Sequence, residues 1–131
     1  MPFPKTVPTT RFNMIPTEIK LRKTSRLLVV TFDDGDSFDY SFEYLRVHSP
    51  SAEVQGHSAD QRTLQTGKEN VAITAIEPIG NYAVRLVFDD GHDTGLFTWA
   101  YLRELGDNMS EYWQSYLDRL QAAGYARPKP D

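Results

Sequence analysis

Cysteine is absent from the 131 residues. With it go disulfides, thiolate nucleophiles, cysteine-ligated iron–sulfur clusters and every cysteine-based zinc site. Histidine is scarce, at three, so a catalytic dyad or histidine metal site has to draw on His48, His57 and His92. The residues two positions beyond them are Pro50, Ala59 and Thr94, and none is the acid that a 2-His-1-carboxylate iron site needs. No Gly-x-Ser-x-Gly elbow occurs, and Gly91-His92-Asp93-Thr94-Gly95 lacks the Lys-Ser/Thr ending of a phosphate loop. Hydrolase and nucleotide-binding readings are thereby weakened, and no catalytic residue is assigned.

Long apolar runs are missing too. Nothing approaches the ~18 residues of a spanning helix, and Met1-Pro2-Phe3-Pro4-Lys5 offers no signal-peptide core. The expectation is a cytoplasmic protein without a membrane partner. Basic residues are in deficit, 14 against 18 acidic for a net charge of -4, with an isoelectric point near 5.3. Phosphate binding needs a basic face, so nucleic acid is not expected as a partner.

What is present is a globular composition, 40% hydrophobic and 24% charged, sized for one core. Prolines at 2, 4, 8 and 16 and again at 128 and 130 mark tails over residues 1–16 and 126–131, leaving one domain over 17–125. Ile19 and Leu21 alternate with Lys20 and Arg22, and the β-rich run Arg26–Phe32 follows, which predicts a hairpin. Asp33-Asp34-Gly35-Asp36 predicts a second turn, with Phe38 and Tyr40 on a third strand. A polar stretch from Val47 to Gly67 reads as a long loop, and loops of that length are often functional. Val71, Ile73 and Ile76 then lead through Gly80-Asn81 to Tyr82–Phe88, another hairpin. Asp89-Asp90-Gly91 turns the chain again into Leu96-Phe97.

The pattern repeats. Phe32-Asp33-Asp34-Gly35 recurs 56 positions later as Phe88-Asp89-Asp90-Gly91, and Tyr44-Leu45-Arg46 recurs 57 later as Tyr101-Leu102-Arg103. One inserted residue reconciles the two offsets. Each half reads as strand, turn, strand and short helix, packed about a pseudo-twofold axis; two hairpins converging on the same turn chemistry would give the same pattern. Asn108-Met109-Ser110-Glu111 matches a capping box for an amphipathic helix carrying Tyr112, Trp113, Tyr116, Leu117 and Leu120, assigned here to packing against the sheet and ended by Gly124. The fold class is α+β, a hairpin-rich single domain with a duplicated unit and a C-terminal amphipathic helix.

Asp33, Asp34, Asp36 and Asp39 resemble a calcium loop only superficially. Phe38 and Tyr44 stand where an EF-hand counted from Asp33 needs Gly and Glu, so turn chemistry explains the acids. His92 is the most suggestive single residue: it is expected to be partly exposed, with Asp89, Asp90 and Asp93 favouring its protonated form. It is either a turn histidine bonded to a neighbouring carboxylate or a metal ligand. The loop Ser49–His57 is expected to order against it, bringing His48 or His57 near.

Three segments resemble the gamma-butyrobetaine hydroxylase-like N-terminal domain family. They are Tyr44-Leu45-Arg46-Val47-His48-Ser49-Pro50-Ser51-Ala52-Glu53-Val54-Gln55-Gly56-His57, Ile76–Val84, and Phe88–Gly95 with Trp99 and Leu102. The resemblance implies a small β-rich α+β domain. Such domains occur alone in bacteria, fused to iron–sulfur scaffold ATPases, or ahead of the oxygenase domain of carnitine-biosynthesis hydroxylases. In the hydroxylases it implies a structural zinc held by three cysteines and a histidine. The histidine position falls on His92, but the cysteine positions fall on Ser49, Ser51 and Val54 around the matching Pro50. Two hydroxyls and a valine do not replace three thiolates.

The resulting expectation is a non-enzymatic accessory or protein-interaction domain that folds without a cofactor. Its candidate binding surface comprises His48, Ser49, Pro50, Ser51, Glu53, His57 and His92, and its partner is another protein. The alternative is a metal-binding module for zinc or iron, using His48, His57, His92 and Glu53, linked to iron–sulfur cluster assembly or to a 2-oxoglutarate oxygenase. Nothing in the sequence fixes an oligomeric state.

Overall fold

The computed structural model describes residues 15–51 and 64–128. Strands β1 (Pro16–Arg22), β2 (Leu27–Phe32) and β3 (Ser37–Ser41) lead into helix α1 (Phe42–Val47). The order then repeats as β4 (Ile73–Ile79), β5 (Ala83–Phe88), β6 (Leu96–Thr98) and α2 (Trp99–Asp107), and α3 (Met109–Ala122) follows. Each half is an antiparallel three-stranded sheet with its middle strand central, β1-β2-β3 and β4-β5-β6. The protein is a single α+β domain, and among the described residues no helix is long and apolar enough to cross a membrane.

Local sequence dictates this in both halves alike. Leu28, Val30 and Phe32 alternate inward on β2 as Val84, Leu86 and Phe88 do on β5, and all six belong to one core cluster with Leu45 and Leu102. Gly35 and Gly91 take φ of +92° and +90°, the left-handed region that their turns require and that side chains resist. Ser41 and Thr98 cap the helices, each hydroxyl accepting the amide three residues on, Tyr44 or Tyr101, at 3.1 Å. Even the irregularities match, with register shifts at Pro16/Glu18 and Ile73/Ala75.

Contacts between the halves are reciprocal. The Tyr44 hydroxyl donates to the Leu105 carbonyl at 2.6 Å, and the Tyr101 hydroxyl donates to the His48 carbonyl at 2.6 Å. Arg46 pairs with Asp90 at 3.0 Å, and Arg103 with Asp34 at 3.2 Å. Each guanidinium lies near the partner half's phenylalanine, Phe88 at 6.0 Å and Phe32 at 5.3 Å. Converging turn chemistry alone does not produce such an exchange; a duplicated unit about a pseudo-twofold axis does.

The structure departs from the sequence reading around α3. Asn108 makes no side-chain cap: it ends α2 and starts α3 together, and its amide donates to the Glu104 carbonyl at 2.9 Å. The capping box therefore does not form. The aromatic face of α3 meets α1 rather than a sheet face, with Trp113 edge-on to Tyr44 at 6.3 Å and Tyr116 and Leu120 clustered with Val47. Near the ends, Pro16 opens β1 and Arg127 is paired to Glu43, although proline content alone places both in tails.

Candidate functional site

The symmetry between the halves fails ahead of β6. In the first half, β3 pairs with β2 from Ser41 back to Ser37. In the second, β6 pairs with β5 only from Thr98 to Leu96. The inserted residue lies ahead of this shorter strand and frees residues 92–95 from the ladder. His92 closes its turn as Asp36 does, its carbonyl accepting from the Phe88 amide at 3.0 Å where Asp36 accepts from Phe32 at 2.8 Å. There the likeness ends.

The His92 side chain enters the interior. It is 8% exposed, and Ser49 and Ser51 are at 0% and 5%, so the expected partial exposure of His92 is corrected. Alternation across a regular hairpin would have left it outside, but the released segment turns it in. Its Nε2 lies 2.8 Å from the Ser49 hydroxyl and 3.4 Å from that of Ser51. A nitrogen bearing a lone pair accepts from these hydroxyls, and one bearing a proton donates to them. Gly95 makes the room, since a Cβ there would stand 2.1 Å from Ser49 Oγ and 3.2 Å from Pro50. This glycine, visible in the sequence, was the missed signal of close approach.

The three acids expected beside the imidazole engage other groups. Asp89 accepts from the Ala72 amide at 3.0 Å, and Asp93 lies 3.9 Å from Arg85. Asp90 accepts from the His92 amide at 3.2 Å and pairs with Lys68 at 2.8 Å and Arg46. Burial opposes ionisation of Asp90, but Lys68, the His92 amide and Arg46 outweigh it and hold its carboxyl down at about 2.

The remaining candidate residues divide. Pro50 sits with Ser49 over Gly95. His48 is buried at the end of α1, where its Nδ1 donates to the Tyr44 carbonyl at 2.9 Å, its ring stacks on Tyr112 at 5.9 Å, and it borders a cavity of about 50 Å³ with Tyr112, Tyr116 and Arg119. Glu53, Val54 and His57 lie outside the described residues. Among the described residues, no three His, Cys, Asp or Glu side chains are grouped to hold a metal ion. The Ser49, Ser51 and His92 cluster supplies one imidazole and two hydroxyls, which is not the donor set of a zinc site. As chemistry, Ser49 and His92 have the spacing of a nucleophile and its base, with Ser49 wholly buried.

Comparison with known proteins identifies the family. The family model described as "Gamma-butyrobetaine hydroxylase-like, N-terminal" matches residues 19–103. Two proteins with NMR solution structures are similar over nearly their whole lengths. One is 50% identical, with a TM-score of 0.76, over 89% of this chain and 92% of that one. The other is 48% identical, with a TM-score of 0.78, over 100% and 95%. A crystal structure of a protein of unknown function from Acidithiobacillus ferrooxidans, described as belonging to the DUF971 family, is 43% identical over 70% of this chain and 91% of that one, with a TM-score of 0.59. No curated protein matches. The chain belongs to the gamma-butyrobetaine hydroxylase-like N-terminal family.

Proposed function

We propose that this member of the gamma-butyrobetaine hydroxylase-like N-terminal family is a non-enzymatic accessory domain that binds another protein through the surface around its His92 turn, and that it works without the zinc of its cysteine-bearing relatives. One observation carries the reading: the imidazole and hydroxyls that could do chemistry are spent on each other inside the protein, Ser49 and His92 at 2.8 Å with Ser49 wholly buried. Buried polar groups that satisfy one another hold a fold in one arrangement. Here they pin the stretch after α1 against the second hairpin and so set the shape that a partner meets.

The test combines two variants. Asp93→Lys reverses charge on the outer side of the turn, and Ser49→Ala removes the hydroxyl 2.8 Å from His92 Nε2. A protein retained from native extract by the wild-type domain should be lost from Asp93→Lys and held more weakly by Ser49→Ala, whose stretch after α1 is no longer pinned. Retention by both variants would sink the surface assignment. Loss of a cellular phenotype in Ser49→Ala, with partner binding intact, would point to catalysis instead.

A second reading, a metal module for zinc or iron serving cluster assembly or an oxygenase, is favoured by the convergence of residues 49, 51 and 92 where the relatives are expected to place their ligands. Titrating zinc or ferrous iron while following the histidine ring resonances decides between them. Saturable, stoichiometric shifts at His92 support the metal module, and an unchanged ring supports the accessory domain.

A further inference from the structure

Glu43 has no counterpart in the repeated unit. The position 57 residues later is Ala100, which is exposed, whereas Glu43 is 7% exposed on α1. The difference arises because α3 and the residues after it cover Glu43 on α1 but leave Ala100 exposed. Buried carboxylates persist where they are paired, and Glu43 is well supplied. Its Oε2 accepts from the Tyr116 hydroxyl at 2.7 Å and from Arg127 Nε at 3.3 Å, and its Oε1 accepts from Arg127 Nη2 at 2.5 Å. The same guanidinium lies 5.5 Å from the centre of the Trp113 ring.

Glu69 stands beside this pair. Its Oε1 accepts from the Tyr125 hydroxyl at 3.1 Å, while its Oε2 is buried, 4.0 Å from Arg127 Nε, and has no hydrogen-bond partner among the described residues. A two-point carboxylate, an aromatic face and a second carboxylate with an unused oxygen form a site shaped for a planar, forked cation rather than a point charge. The site also has more acceptor capacity than Arg127 uses. Arg127 itself comes from the non-helical stretch after Gly124, a region with few backbone bonds to hold it, chiefly Tyr125 to the Leu120 carbonyl at 3.0 Å.

The geometry points to a guanidinium-recognition cradle formed by Glu43, Glu69, Trp113 and Tyr116, in which the chain's own Arg127 is the resident ligand and an arginine side chain of a protein partner replaces it. This surface is separate from the His92 turn, and its failure would leave that reading intact. Exchange is favourable when the incoming arginine brings contacts of its own, because one salt-bridged cation simply takes the place of another.

The test uses the full chain carrying Arg127→Ala, titrated with N-acetylarginine amide and, in parallel, N-acetyllysine amide, with the Trp113 indole N–H resonance as readout. The arginine probe should shift that resonance saturably in the variant, bind at least tenfold more weakly to the wild type, where Arg127 competes, and lose binding when Glu43→Gln is added. The lysine probe should bind at least fivefold more weakly than the arginine probe. A folded Arg127→Ala chain with no saturable shift, or equal responses to both probes, overturns the proposal. Should Arg127→Ala fail to fold, Arg127→Lys decides: the arginine probe must displace the lysine and move the Trp113 signal, and an unmoved signal overturns the proposal equally.

Discussion

Aligned by their repeat, the two halves place Phe38 opposite Gly106 on one side and Gly95 opposite Ser49 on the other. The two pairs fill equivalent space by opposite means. In the first, a ring from the strand side lies against a bare helix position, where a Cβ would come within 2.7 Å of the Phe38 ring. In the second, the strand side is bare and a serine reaches across, with His92 turned in behind it. The polar cluster thus occupies room that the other half gives to an aromatic ring. The ion pairs differ in the same sense: Arg103 is shared by Asp34, Asp36 and Asp107, whereas Asp90 is shared by Arg46 and Lys68. A duplicated architecture tolerates such divergence as long as each side stays packed and paired.

The comparison breaks most sharply at the two glycines. Gly106→Ala drives a methyl into the Phe38 ring and should cost about 2 to 3 kcal/mol, the upper range for overpacking. Gly95→Ala should cost about as much alone, but Ser49→Ala in the same chain should restore part of it, because the 2.1 Å clash is with the hydroxyl oxygen. Urea unfolding of the two single variants and the double variant reads this out, and strict additivity would show that Ser49 does not fill that space.

Acid sharpens the comparison next. The folded-state carboxyl of Asp90 is lowered from 3.8 to about 2, so its contribution is full above about pH 4 and is lost as the pH falls through about 2. Asp90→Asn should therefore cost about 1 to 2 kcal/mol at pH 6 and nearly nothing at pH 2. Asp34 is lowered too, chiefly by the Asp36 amide with burial opposing, but its side chain is more exposed than that of Asp90 and its arginine has two other acids. Asp34→Asn should show the smaller pH-dependent difference, and an equal one would deny the asymmetry.

Tyr44→Phe and Tyr101→Phe each remove the donor to a carbonyl of the opposite half. The expected losses are about 1 kcal/mol, larger for Tyr44, which is 2% exposed. Gly35→Ala and Gly91→Ala are the matched control: both have open space around them and φ near +90°, so thermal melts should show equal losses of about 1 kcal/mol. Unequal losses would mean that the turns are not equivalent.

The hairpins, both glycine turns and the duplication were legible in the sequence, because Asp-Asp-Gly and alternating Leu28, Val30 and Phe32 constrain backbone and facing locally. Proximity of His92 to Ser49 and Ser51 came from the family resemblance. The burial of His92 was not legible, since it depends on where the inserted residue releases β6 from its partner. The failed Asn108 cap has a related cause: α2 and α3 meet at a single residue, and its side chain bonds backward to Glu104. The pairing of Glu43 with Arg127 joins residues 84 apart, beyond the reach of any local pattern.

The exchanged tyrosine bonds also bear on how the chain folds. The carbonyls of Leu105 and His48 are met by hydroxyls that lie 61 and 53 residues away, so each helix end is completed only when the other half has already arrived. Contacts of that separation form late and slow the search, and they tie completion of each half to the presence of the other. The core amides of β2 and β5 are accordingly expected to exchange with solvent as one cooperative unit, at the free energy of global unfolding, rather than half by half.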